Sequence, residues 1–157
     1  MPLFHQERYS QYTFYAGATV ALLHLFFASS LHWNVRPMAM LFIFVGAAQL
    51  IWGHFFHEKQ SHPMFWLGMI LHGGVAVTWY MTRIWNAPYV GQPLPFGLLD
   101  AVIGLLEVLV VIFAVEAFYK QSHIQWLPVW TVLLCLVSGI AMYWGGFVVE
   151  YIWPTLV

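Results

Sequence analysis

WYMTRIWNAPYVGQPLPFGLLDAVIGLLE, residues 79–107, decides how the chain is read. It ends one apolar run at Arg83, begins the next at Asp100 and places Glu107 inside that second run, in a chain with only five Lys/Arg and six Asp/Glu. Pro88, Pro93, Pro95, Gly91 and Gly97 lie between the runs, residue types that turn a chain back on itself. Arg83 and Asp100 are therefore expected to meet as a partly buried ion pair at the mouth of a helical hairpin. Glu107 follows Asp100 by seven residues, within roughly 20° of the same helical face.

The rest of the chain has the same character. Its 157 residues are 62% hydrophobic and 7% charged, with a mean hydropathy of +0.76, whereas soluble domains carry about 25% charged residues. This is the composition of an integral membrane protein whose solvent is the lipid bilayer. A formal net charge of -1 supplies no basic patch for nucleic acid or an acidic substrate. Cys135 is the single cysteine and reads as a small buried hydrophobe.

A span needs about 20 apolar residues, and five are found: Tyr12 to Leu31, Met38 to Phe56, Met64 to Ile84, Leu98 to Phe118 and Trp126 to Val149. Short connections make consecutive helices antiparallel neighbours. The expected fold is all-α, a single domain over residues 1–157: an up-and-down bundle of five transmembrane helices, a four-helix core plus one added helix. The fifth helix holds Ser138, Gly139, Gly145 and Gly146, small residues that permit close helix approach. Trp33, Trp66, Trp85, Trp126 and Trp153 flank the runs as interfacial aromatics do. A cleaved signal peptide competes for the first run, with Arg8 before it and Ala28, Ser29 and Ser30 as a small-residue site. The run's length, its aromatics and His24 in its apolar part favour a retained helix. Arg8, Lys59 and Lys120 on one side outnumber Arg36 and Arg83 on the other, which places the amino terminus in the cytoplasm.

Depth along each helix, at about 1.5 Å per residue, brings His24, Gln49, His72 and Glu107 to similar levels on four helices. Helix three adds a stripe of His72, Trp79 and Arg83; helix four adds Asp100, Gly104 and Glu107. Three explanations fit such a seam. Polar side chains on facing helices bond one another and fix register. Alternatively His24, His72 and Glu107 hold copper or another transition metal, or some other ligand, with His32, Gln49, Arg83 and Asp100 as outer partners. The third is a proton relay or small-solute path through Glu107, Asp100 and Arg83. A b-type haem on His24 and His72, admitted by Gly17, Gly46, Gly73 or Gly74, is a weaker variant of the ligand reading.

His54, His57, Glu58 and His62 form a second group at helical i,i+3 and i,i+4 spacing, expected to be a solvent-facing interfacial turn; His5 and His123 are expected to be interfacial too. Catalytic motifs are lacking: Ser29 and Ser30 have no GxSxG context, and no glycine-rich phosphate loop occurs. The chain is not read as a stand-alone hydrolase or kinase, a non-catalytic subunit fits it better than a stand-alone enzyme, and no residue is assigned a catalytic role.

The pattern TRIWNAPYVGQPLPFGLLDAVIGLLE resembles the third-to-fourth-helix signature of a group of small, largely uncharacterised bacterial integral membrane proteins. Its most specific residues here are Arg83, Pro88, Gly97, Asp100 and Glu107. His24, His32 and AAQLIW at Ala47 to Trp52 extend the resemblance over Gly17 to Ala114. The group usually ends after four helices and usually has Gly where Asn86 stands. The resemblance implies the bundle, its seam and a prokaryotic cytoplasmic membrane, and names no reaction. Few charges and small loops suit a subunit or accessory protein of a membrane redox complex, among other membrane subunits, with the seam binding a metal or ligand. A purely structural assembly subunit and a small transporter or proton conductor are the alternative classes.

Overall fold

The structure, a computed structural model, describes residues 2–30, 36–59, 61–122 and 124–152. Helices supply all the regular secondary structure of the described residues. They are α1 (Pro2–Ser30), α2 (Arg36–Lys59), α3 (His62–Ile84), α4 (Leu98–Ser122) and α5 (Leu127–Ile152). Each runs past the apolar stretch that announces it, because backbone hydrogen bonding continues into polar sequence. The extension is largest in α1, whose first turns carry Gln6, Glu7, Arg8, Ser10 and Gln11. Four segments are long and apolar enough to cross a membrane: Ala39–Lys59, His62–Ile84, Leu98–Tyr119 and Leu127–Ile152. α1 is not among them.

Packing divides the helices unequally. α1 lies against α2 and α4, while α5 rests chiefly on α3 and barely touches α4. Glycines set the close approaches. A Cβ at Gly68 would fall under 3.0 Å from three indole atoms of Trp52, and one at Gly73 would collide with Cys135 in the same way. One at Gly139 would meet the Val77 side chain. Trp52 is pinned in place: its Nε1–H donates to the Met64 carbonyl at 2.6 Å, and its ring stacks on Phe56 at 5.0 Å. Phe65 stacks on Phe118 at 4.5 Å nearby, so the half of the bundle that holds the α2–α3 connection is closed by aromatic packing.

Inside α3 the residues Met69–Gly73 form a π-helical turn, a one-residue insertion into the α ladder that recurs at functional sites. His72 lies in it. The Cys135 Sγ–H points to the Met69 carbonyl at 3.6 Å, supplying a donor from α5 beside the irregular turn.

At the other end of α3 the chain leaves the helix at Trp85, which is extended, and folds back so that the Leu94 N–H caps the Thr82 carbonyl at 2.8 Å. Tyr89 and Gly91 adopt positive φ of 63° and 70° in this loop, and a turn from Ala87 N–H to the Gln92 carbonyl closes it. The Tyr89 phenol is pushed up from its usual 10.0 first by burial and then by the charge of Glu150. Its neutral form is thus favoured in the folded loop, so the associated stabilisation is present below the ordinary phenol range and lost as pH rises through the elevated value. A phenolate absorbance titration should show Tyr89 ionising late, and Glu150→Gln should lower its pKa only in part, because burial is the larger cause.

Candidate functional site

His24 on α1, Gln49 on α2, His72 in the π turn of α3 and Glu107 on α4 meet inside the bundle. Their relative exposures are 2%, 0%, 0% and 1%. His24 Nδ1 is 2.9 Å from Gln49 Oε1, Gln49 Nε2 is 2.7 Å from Glu107 Oε1, and His72 Nδ1 is 2.5 Å from Glu107 Oε2. His24 Nε2 faces Glu107 Oε1 across 3.8 Å.

With Glu107 taken as ionised, the donors and acceptors around it follow. An ionised carboxylate only accepts, so the amide of Gln49 must present its NH2 to Glu107 and its oxygen to His24. That oxygen also only accepts, so His24 carries a proton on Nδ1. By the same logic His72 donates its Nδ1–H to Glu107 Oε2. Within the tetrad the donors lead to one carboxylate, and Glu107 is the only Asp or Glu among the buried residues described. The remaining nitrogen of His72, Nε2, is buried with no hydrogen-bond partner among the described residues. It abuts α1, where a Cβ at Gly17 would be 3.7 Å away, and the imidazole sits 4.8 Å from the Trp52 ring.

Towards the loop the next polar group is the expected ion pair. Arg83 donates from Nε to Asp100 Oδ2 at 3.1 Å and from Nη2 to the same oxygen. Nη1 reaches Thr82 Oγ1 at 2.6 Å. The guanidinium also lies over the Trp79 ring, 5.0 Å from its centroid. Trp79 in turn lies on Gly104, where a Cβ would be 3.0–3.1 Å from three ring atoms.

The structure thus brings together His24, Gln49, His72 and Glu107, and separately Arg83 and Asp100. Gln49 is more central than an outer partner, since it joins His24 to Glu107; Asp100 belongs to the ion pair rather than to the tetrad. His32 lies outside the described residues. Among the described residues no group of three or more His, Cys, Asp or Glu is disposed to hold a metal ion. Gly46, Gly73 and Gly74, considered above as room for a macrocycle, are filled by neighbours: the Ala21 carbonyl with Leu25, Cys135, and Ser138 with Met142. His54, His57 and His62 are exposed, as expected; His54 Nε2 pairs with Glu58 at 3.4 Å, and His57 Nδ1 is 3.3 Å from Ser10 Oγ.

Sequence reasoning missed the π turn and the position of the Trp79 ring. The run LHGG at Leu71 to Gly74 is the one local signal for the former, since paired glycines in a helix interior are costly unless packing requires them. Comparison of the chain with protein-family models, with curated proteins and with solved structures finds no match.

Proposed function

We propose that this is a small integral-membrane protein whose buried His24–Gln49–Glu107–His72 tetrad binds one proton at mid-membrane, and that it serves as a proton-handling subunit of a membrane redox assembly. The observation that supports the proton site is the convergence of donors on Glu107 within a fully buried cluster. An ionised Glu107 with two neutral imidazoles would leave an uncompensated charge among apolar helices, at a cost of several kcal/mol. Arg83 does not cancel it, being engaged by Asp100. One proton on His24 Nε2 does: Nδ1–H goes to Gln49, and the charged ring faces Glu107 across 3.8 Å, an electrostatic pairing rather than a hydrogen bond. The same proton placed on His72 would leave an Nε2–H without an acceptor, which is the costlier arrangement.

In this proposal α1 is the fifth span, carried into the membrane by its share in the tetrad, in an up-and-down course with the amino terminus in the cytoplasm of a prokaryote. Short connections leave little room between the helices for a soluble catalytic unit, so the redox chemistry would lie in neighbouring subunits.

The test is a proton count on the purified protein in lipid nanodiscs, comparing wild type with Glu107→Gln. Wild type should bind one proton more than the variant across the titration. An equal count would overturn the proposal. So would stoichiometric bound metal that disappears in both His24→Ala and His72→Ala, which would establish metal binding in its place.

A further inference from the structure

Resting on the proton site proposed above, we infer that the tetrad exchanges protons with water at the Arg83–Asp100 end of the bundle, and that the Trp79 indole is the gate between them. Both helices that carry polar groups at this level interpose the same ring. Along α4 the order is Asp100, Gly104, Glu107, and the indole lies flat over Gly104. Along α3 the order is Arg83, Trp79, His72, with the guanidinium over the ring at 5.0 Å from its centroid and His72 bonded to Glu107. Gly104 is what admits the ring, since a Cβ there would press on three of its atoms at 3.0–3.1 Å. Phe96 from the loop meets the ring edge-on at 5.9 Å.

The closed position is also imperfect for Trp79 itself. Its Nε1–H is buried with no acceptor among the described residues, and a buried donor of this kind gains a partner when it swings to water. At the opposite end Thr131 Oγ1 is also buried without a partner among the described residues, but the rings that close that end are anchored. Trp52 there has its indole N–H on the Met64 carbonyl and its ring on Phe56, and Phe65 and Phe118 are stacked beside it. The titratable groups touching Glu107 are His24 from α1 and His72 from α3. α2 contributes the Gln49 amide, and on α5 Cys135 is turned to the Met69 carbonyl.

The experiment is hydrogen–deuterium exchange of the tetrad in nanodiscs, read by solid-state NMR at the His72 Nδ1–H and the Gln49 side-chain amide. Trp79→Ala should accelerate exchange by about tenfold or more, as expected when a local opening step is removed. Trp79→Phe keeps an aromatic ring on Gly104 without the unpartnered N–H, should fold in any case, and should accelerate exchange less. Phe56→Ala, which loosens the other end, should leave the rate close to wild type. Unchanged exchange in both Trp79 variants would overturn the gate while leaving the proton count untouched. Acceleration by Phe56→Ala equal to that by Trp79→Ala would overturn it too, by opening the tetrad from the other side. The proton count in Glu107→Gln fails independently of either result.

Discussion

Glu107→Ala is expected to destabilise the protein by about 3–5 kcal/mol, the range for removing one partner of a buried ionic cluster. The loss has two sources. His72 Nδ1–H and the Gln49 amide lose their common acceptor, and each buried orphan costs about 1–3 kcal/mol. His24 then loses the anion that its Nε2 faces. Glu107→Gln keeps the volume and one carbonyl acceptor, so its loss should be smaller, about 1–2 kcal/mol on the same scale. Reversible unfolding in mixed micelles would measure both. Interhelical polar contacts in membranes average well under 1 kcal/mol, so an alanine variant as stable as wild type would reduce the tetrad to a set of incidental contacts.

The second large effect is expected at Gly68, and its sign is the informative part. In an unconstrained helix Gly→Ala gains about 1 kcal/mol. At Gly68 the new methyl would fall under 3.0 Å from three atoms of the Trp52 indole. That ring cannot slide away without breaking its bond to the Met64 carbonyl or its stack on Phe56. Overpacking of this kind costs about 1–3 kcal/mol, so Gly68→Ala should be destabilising outright. Gly145 is the control: nothing lies within 4 Å of the position its Cβ would take, and Gly145→Ala should be neutral or stabilising. Thermal unfolding of the two variants side by side would decide, and a gain at Gly68 would mean that α2 and α3 are not in contact as described.

Much of this arrangement is legible in the sequence because lipid offers polar groups no partner. Charges as sparse as Arg83, Asp100 and Glu107 must be explained by one another, and counting residues along apolar runs is enough to bring His24, Gln49, His72 and Glu107 to one level. Pairing within the level is another matter. Counting gives depth and approximate face but not rotamer, so Gln49 looked like an outer partner when its amide in fact joins His24 to Glu107. The stripe drawn from His72 through Trp79 to Arg83 assumed regular α geometry. The π turn at Met69–Gly73 inserts a residue and shifts the phase between the two halves of α3. Helical periodicity carries no mark of such a turn, and Cys135, which reads as an inert hydrophobe, proves to face it from another helix. The extent of α1 was missed for a simpler reason: the apolar count starts at Tyr12, but the hydrogen-bond ladder does not need apolar side chains.

The central claim is that one proton resides on His24 opposite an ionised Glu107 while His72 donates to it. Nitrogen NMR of histidine-labelled protein in bilayers, with His24 and His72 assigned by substitution, reads this directly. The proposed arrangement predicts a doubly protonated ring at His24 and a neutral ring at His72 with its proton on Nδ1. A His72 ring protonated on Nε2, or neutral rings at both positions, would contradict it.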